Sequence, residues 1–465
     1  MTYSEYRIPV KITYIGGGSL NWALTLMSDL AADSQLAAEV RLYDCDMSAA
    51  LRNERIGSRF AEVSVGTPAR YRAVSNLPEA LEGADIVVIS ILPGRFEDMA
   101  KDLDIPLRYG VPQSVGDTVG PGGFMRALRA VPTFLEIGKA IKAHAPEAFV
   151  CNLTNPMSVL TGALYAAFPG IRCWGECHEV TKIRKIAAFI ANRDRPERLF
   201  SFRDVDVNVL GINHLTFVDR ISVAGRDLMP AYAQFAAHHR DTGWCEVDPA
   251  PEDEHARYFE DRNRVKFDLM RRFGLPAAAG DRHLAEFFPV NEYLGAHAVW
   301  QFGLTPVDYR IRHQAHRREI AEAIASGDRE PEIIRSDEAL VDQIAALLGG
   351  KPFTANANLP NAGQLSGFDH GAIVETNVLF SAGKLTPVKA GRLPTDLEEI
   401  IVEHSRRQTA LVRALVEEDY RGLFAIFRGD PLLRQVPDRD AAAMYRDMLA
   451  STAHLLPAGL LQEAA

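Results

Sequence analysis

Over its first 200 residues the chain alternates short apolar runs with helix-forming stretches. Residues 11–15 form a β-like run that meets three glycines at once, and residues 20–32 carry helix formers. Residues 40–43 are a second strand candidate, ending at Asp44. Residues 85–92 centre on Ile-Val-Val-Ile, a continuous apolar run suited to a strand buried on both faces. Residues 132–143 predict a helix and residues 148–152 another strand. This alternation predicts an α/β protein built on a Rossmann-type, doubly wound parallel sheet.

The pattern changes after about residue 195. Residues 205–211 and 216–223 predict an antiparallel pair, with Asn213 and His214 between them. Charged, helix-like stretches follow near 252–273 and 310–347, then a mixed strand region near 371–388. Helical periodicity returns from 395 to about 454, and the tail LLPAGLLQEAA reads as partly frayed. The expected division is therefore a dinucleotide-binding domain over 1–200 and a mixed α/β domain over 201–465, sharing one large interface. The second is expected to carry metal, substrate and oligomer contacts.

Composition narrows the partners. Lys plus Arg number 51 against 61 Asp plus Glu, a net charge of −10, which argues against nucleic acid as partner. A local arginine still suffices for an anionic small substrate. No apolar run reaches the length of a membrane span. The N-terminus lacks the basic and apolar regions of a secretory signal. Five cysteines, an odd and sparse set, fit a reducing cytoplasm better than a disulfide framework.

Five short stretches carry chemistry. In ITYIGGGSLNW, Gly16, Gly17, Gly18 and Ser19 stand between strand and helix, where amide donors can cradle a pyrophosphate. Asn21 replaces the third glycine of the fingerprint. Asp44, 28 residues after Gly16, can bind both ribose hydroxyls and favours NAD over NADP. The bland alternative is a tight strand–helix turn with an incidental acid. Residues 109–123, YGVPQSVGDTVGPGG, surround the single acid Asp117 with glycines, as in a close backbone approach or a surface loop. Asn152 and Asn155 of NLTNP follow a strand and can reach cofactor or substrate hydroxyls, or serve only the turn. Cys177 and His214 offer donors for a borderline divalent metal, or are a buried apolar thiol and a turn histidine. Asp281, Arg282, His283 and Glu286 of GDRHLAE can transfer protons or hold a carboxylate, or form a solvated helix start.

Taken together and in order, these segments resemble glycoside hydrolase family 4, the NAD- and divalent-metal-dependent glycosidases. The resemblance covers the GGGS loop, IPLRYG with GDTVGPGG, NLTNPM, Gly-Glu-Cys-His, GINH and NLPNAGQLSGFDHGAIVE. It implies a fold like lactate and malate dehydrogenases and a redox-assisted elimination and addition. NAD⁺ oxidises the sugar at C3, a base removes the C2 proton, the C1–O bond breaks, water adds, and C3 is reduced again. A metal, typically Mn²⁺, would chelate O2 and O3 on Cys177 and His214. Asn155 would bind sugar hydroxyls, and Asp117 would lie near the metal.

The sequence departs from the 6-phosphoglycosidase branch. The arginine which that branch carries six residues before IPL is Met99 here. The acid after the metal cysteine is His178, and the tyrosine-rich segment is GDRHLAEFF. The pattern is most similar to the α-galacturonidase-containing branch, with α-glucuronidase and α-galactosidase as neighbouring expectations. A 2-hydroxyacid dehydrogenase or a non-catalytic NAD-sensing protein on the same fold are the readings from other classes. The implied roles are Asp281 as C2 base, His178 assisting the leaving group, His283 competing for either, and Arg282 facing the C6 carboxylate. Homodimers or homotetramers are expected.

Overall fold

A computed structural model describes residues 7–193, 199–248, 250 and 252–463. Six strands run parallel: β1 (Ile8–Ile15), β2 (Leu36–Tyr43), β3 (Arg70–Val74), β4 (Ile86–Ile89), β5 (Phe149–Asn152) and β6 (Arg172–Gly175). Their spatial order is β3-β2-β1-β4-β5-β6, the doubly wound arrangement whose crevice opens where β1 meets β4. The Ile-Val-Val-Ile run explains its own burial. Val87 and Ile89 pack into one helical layer with helices Gly120–His144 and Met157–Ala167. Ile86 and Val88 face the other, with helices Trp22–Ala32 and Leu340–Leu347.

The second half of the chain builds a separate three-stranded antiparallel sheet of β7 (Val205–Ile212), β8 (Leu215–Val223) and β9 (Arg226–Asp227). The β7–β8 hairpin carries Asn213 and His214 in its turn, as the spacing predicted. The chain then returns to the first sheet. β10 (Phe353–Pro360), β11 (Ile373–Ser381) and β12 (Lys384–Pro387) extend it antiparallel beyond β6. β10 has no counterpart in the sequence expectation. Its alternating Ala-Asn-Ala-Asn lacks the branched residues that mark strands, because its polar side chains are buried against the site described below.

Several other expectations shift. The helix expected from 132 starts at Gly120, so GPGG is its first turn, with Pro121 in the first positions where a missing N–H costs nothing. A Cβ at Gly123 would lie 2.5 Å from the Thr118 carbonyl carbon, so this turn closes directly on the loop that carries Asp117. The stretch near 310–347 divides into helices Val307–Ser326 and Leu340–Leu347, and the stretch near 252–273 into Glu254–Phe259 and Arg264–Phe273. Part of the tail expected to fray is the helix Ala458–Glu463, with Leu460 buried; residues 464 and 465 lie outside the described residues. Among the described residues no helix is long and apolar enough to cross a membrane.

One ion pair ties the long central helix to its neighbour. Asp102, on Phe96–Arg108, and Arg129, on Gly120–His144, each have side chains only 3% exposed and meet through two parallel hydrogen bonds. Removing one partner strands a buried charge. Arg129→Met should therefore lower unfolding stability by about 3–5 kcal/mol, while Asp102→Leu combined with Arg129→Met should recover most of that loss; urea denaturation of the two variants reads the difference.

Candidate active site

The glycine loop leaves β1 at the crevice. Gly16 has φ +94°, and a Cβ there would fall 2.0 Å from the Ser90 carbonyl oxygen at the end of β4. A Cβ on Gly17 would strike Leu42 of β2, and one on Gly18 would strike Ala49. The loop is thus pressed into the sheet edge at a depth only glycine permits. Asp44 accepts the Gly18 N–H at 2.8 Å and the Asp46 N–H at 2.9 Å, joining the loop to the end of β2. Asn53 donates to the carbonyls of Gly17 and Ser19, and Arg52 to that of Gly18. Ser19 faces Asn21, whose amide Oδ1 takes a hydrogen bond from Arg317 of helix Val307–Ser326.

The same sheet edge continues to the second feature. Asn152 ends β5 with its side chain fully engaged: Oδ1 accepts the Thr154 N–H, and Nδ2 donates to Thr154 O and Thr161 Oγ1. It shapes the following loop from within. That loop contains a cis Asn155–Pro156 peptide and leaves Asn155 Oδ1 buried without a partner, while Asn155 Nδ2 donates to Asp117 at 3.3 Å.

Four donors gather next to Asn155. Asp117, His214 and His283 each offer a ligand atom, all within 4.8 Å of one another. Cys177, just after β6, lies with Sγ 3.2 Å from His214 Nε2. The cysteine and histidine separated by 37 positions in the sequence are therefore adjacent in space. His214 sits at φ +133°, a conformation that costs a side-chain-bearing residue about 1–3 kcal/mol, with its N–H turned back to Ile212 O at 2.5 Å. Neighbouring Gly211 makes the narrow turn, since a Cβ there would lie 2.3 Å from Leu215 O. His283 arrives by a separate route. The 276–278 segment bonds to β8 through Val218 N–H to Pro276 O and Ala278 N–H to Thr216 O, and the His283 ring then lies 3.9 Å from that of His214.

The imidazole of His214 is held in one tautomer. Thr118 Oγ1 donates to Asp117 Oδ1 at 2.7 Å, so it accepts from His214 Nδ1 at 3.0 Å and leaves Nε2 with a lone pair toward Cys177. Charge follows burial. Burial and the neighbouring His283 push His214 down to about 3, so the ring is neutral. Burial, with Glu375 and Glu179 adding to it, raises the Cys177 thiol well above its ordinary value. Burial alone would raise Asp117 too, but His283, Arg126 and His214 hold it well below the usual carboxylate range. Neutral imidazoles, a thiol and one carboxylate form a donor set that fits a borderline divalent cation. His283 Nδ1 is buried with no hydrogen-bond partner among the described residues, so its lone pair is free beside this donor set.

The remaining expected residues lie elsewhere. Asp281 is fully buried, and its two oxygens accept the N–H groups of Val265 and Lys266 at 3.0 Å, capping helix Arg264–Phe273. Burial and neighbouring Asp261 raise its pKa. Arg282 spends its guanidinium on Ser114 O, Gly303 O and Thr305 Oγ1. His178 lies at the outer rim with its ring 5.7 Å from that of Trp22, and Glu338 stands 3.0 Å from its Nδ1. Met99 is buried with Leu103 and Val307.

Other residues of the site carry no signal in a single sequence. Glu375 accepts from Asn356 and Asn213, and Asn356 also donates to Cys177 O, fixing the cysteine from β10 and β11. Glu375 closes the NLPNAGQLSGFDHGAIVE stretch, which was the available hint. Glu179 accepts the Gly280 N–H at 2.8 Å and pairs with Lys182 at 3.3 Å, locking the turn before His283.

Comparison with known proteins matches this picture. The sequence profile described as "Family 4 glycosyl hydrolase" matches residues 11–192, and "Family 4 glycosyl hydrolase C-terminal domain" matches residues 209–433. The alpha-galacturonidase of Thermoanaerobacterium saccharolyticum is 41% identical over 97% of this chain and 98% of its own. A Bacillus subtilis crystal structure described as a glucosidase is 43% identical, with TM-score 0.89, over 95% of this chain and 100% of that one. A 6-phospho-alpha-glucosidase from gut microorganisms, solved with NAD and Mn²⁺, shares the fold at 18% identity and TM-score 0.80, over 97% of this chain and 99% of that one.

The fit of the glycine loop gives a direct test of dinucleotide binding. Gly16→Ala must push Ser90 away or unseat the loop, so NAD affinity should fall about tenfold or more by calorimetry while the circular dichroism spectrum stays unchanged. Unaltered affinity would remove the loop from the cofactor site.

Proposed function

The chain belongs to the family 4 glycosyl hydrolases, and from that premise we propose that it hydrolyses α-linked galacturonides with the aid of NAD and a divalent metal such as Mn²⁺. The observation that carries the chemistry is the gathering of Asp117, Cys177, His214 and His283 beside a dinucleotide-type glycine loop. The near-full-length likeness to an alpha-galacturonidase carries the sugar. Met99 supports the same choice, because a buried thioether among Leu103 and Val307 offers nothing to a sugar phosphate.

When bound, NAD supplies a reversible oxidant for the sugar C3 hydroxyl, and the metal supplies Lewis acidity beside O2 and O3. The protein's residues do the rest. Gly16, Gly18 and Ser19 present backbone to the pyrophosphate, and Asp44 accepts from ribose hydroxyls. Asn152 acts indirectly, by shaping the loop that presents Asn155. Cys177 and His214 hold the metal, with Thr118 orienting the imidazole. Asn155 offers its free Oδ1 to a sugar hydroxyl. Asp117, kept ionised, accepts the C3 hydroxyl proton's hydrogen bond.

We assign the C2 proton to His283. Burial depresses its pKa, against the pull of Glu179 and Asp117, so it is a neutral imidazole with Nδ1 free to accept. This reading replaces Asp281 as base, since both oxygens of that carboxylate already accept backbone amides. His178 gives a proton to the leaving oxygen from Nε2, with Glu338 accepting from Nδ1. The five cysteines, all free, support a reducing cytoplasm as the setting of this chemistry.

An aryl α-D-galacturonide should be cleaved only with both NAD and Mn²⁺ present, and stripping both should cut turnover at least ~100-fold. Product formed in D₂O should carry deuterium at C2, with no net build-up of reduced cofactor. Full activity after stripping would refute the chemistry, and accumulating reduced cofactor would favour a dehydrogenase. A second expectation concerns the thiol. Cobalt(II) should give a thiolate-to-metal charge-transfer band that Cys177→Ser abolishes, and a band surviving that substitution would unseat Cys177 as ligand.

A further inference from the structure

Arg282 is braced by the protein itself, with Nε donating to Gly303 O and Nη2 to Ser114 O and Thr305 Oγ1, so its fork is not open to a sugar carboxylate. A second guanidinium lies against the same aromatic ring. Arg282 Cζ is 4.8 Å from the Phe259 ring centroid, and Arg310 Cζ is 5.4 Å from it. Arg310 comes from helix Val307–Ser326. Its Nε is buried without a partner, and its guanidinium donates no hydrogen bond among the described residues.

That helix is fastened on both sides of the crevice. Arg317, two turns beyond Arg310, bonds Asn21 of the glycine loop, and Val307 packs with Met99 and Leu103. At its root, Thr305 N–H donates to Ser114 O at 3.3 Å. Arg310 is therefore held, not swinging, at the side of the site that lies toward the nucleotide loop. It shares an electrostatic environment with Arg282, Arg126, Asp117 and Glu286, and burial together with Arg282 lowers its pKa. Glu286 is itself driven up to about 7 by burial and engages Val115 and Gly116 N–H, so it is a weak counter-charge. Arg126 and Arg282 have carboxylates and carbonyls of their own, so Arg310 is the guanidinium here whose buried Nε an anionic ligand would satisfy.

We propose that Arg310 recognises the C6 carboxylate of the sugar and so sets the preference for uronides over neutral hexosides. The inference rests on the galacturonidase reading above. The carboxylate on C5 stands across the pyranose ring from O2 and O3, so its receptor has to face the Asp117 cluster without touching it. Arg310 meets that condition: it feels the charge of Asp117, yet among the described residues no hydrogen bond or ion pair joins it to Asp117, Cys177, His214 or His283. Its fork of N–H groups suits a carboxylate, with Phe259 backing its flat face.

The test uses the protein loaded with NAD and Mn²⁺. Arg310→Gln should lower the ratio of kcat/KM for aryl α-galacturonide to that for aryl α-galactoside by about 100-fold, and weaken D-galacturonate relative to D-galactose as competing ligands to a similar extent. Arg310→Lys should restore part of the ratio, since it keeps charge but not the fork. NAD affinity and thermal midpoint report folding, and Arg310→Lys is read alone if the glutamine variant does not fold. Arg282→Gln should instead lower the thermal midpoint. An unmoved ratio, or an equal loss for both sugars, overturns the assignment of Arg310. A wild-type protein that ignores galacturonide and galacturonate overturns the parent reading, and the Arg310 assignment with it.

Discussion

The Nδ1 proton of His214 has one acceptor, the Thr118 hydroxyl, and that hydroxyl gives its own proton to Asp117. This short relay joins two segments separated by up to 97 positions, and the rest of the site is arranged to permit it. Gly123 lets the long helix close on Thr118, Gly211 narrows the hairpin under His214, and Asn155 bonds the far oxygen of Asp117. The unfavourable φ of His214 is tolerated because β7 and β8 leave the ring no other exit. A relaxed backbone there would turn Nε2 away from Cys177, and the thiol and imidazole would no longer face each other.

Electrostatics then follows from burial rather than from net charge. The thiol and both imidazoles are kept neutral by the loss of water, whereas Arg126 and the Thr118 hydroxyl help keep Asp117 charged. A site in that state holds one negative charge and several lone pairs. On the proposed ligand set, a divalent cation entering it would convert the thiol to thiolate and release a proton, making metal binding and protonation one equilibrium. Glu179 and Lys182 sit just behind, neutralising each other while fixing the Gly280 turn, which confines the reactive asymmetry to the face that meets the crevice. The overall charge of −10 is spread elsewhere and says little about this centre.

What could be read in advance divides along a physical line. Glycines forced by close approach, an acid ending a strand, and apolar runs buried on two faces are local demands, and they left local marks at Gly16, Asp44 and Ile86–Ile89. The β7–β8 hairpin and its two turn residues were equally visible. β10 was not, because its asparagines answer to Cys177 and Glu375 across the sheet and not to strand propensity. The start of the central helix was hidden for a related reason: GPGG looks like a loop until Thr118 is packed against it. Asp281 attracted attention as a carboxylate in a polar cluster, yet its partners are the amides of a helix that begins 17 residues earlier, a relation that sequence order conceals.

The two arginines on Phe259 make the same point in its sharpest form. Arg282 stands in a dense polar motif and Arg310 in an ordinary charged helix, so sequence context favours the first as the ligand for an anion. Hydrogen-bond capacity reverses the choice. A guanidinium has five N–H donors in a rigid fork, and once three protein oxygens have claimed the fork it is a structural strut, whatever its distance from the substrate. Arg282 is such a strut, binding the Asp117 loop to the segment that begins Arg310's helix. By standing fixed on one face of Phe259 it also stiffens the platform for Arg310 and, through like-charge repulsion, makes that neighbour's unpaired state costly until an anion arrives. Selectivity in such a crevice thus turns on one cation braced by three protein oxygens and another to which no protein oxygen is bonded among the described residues.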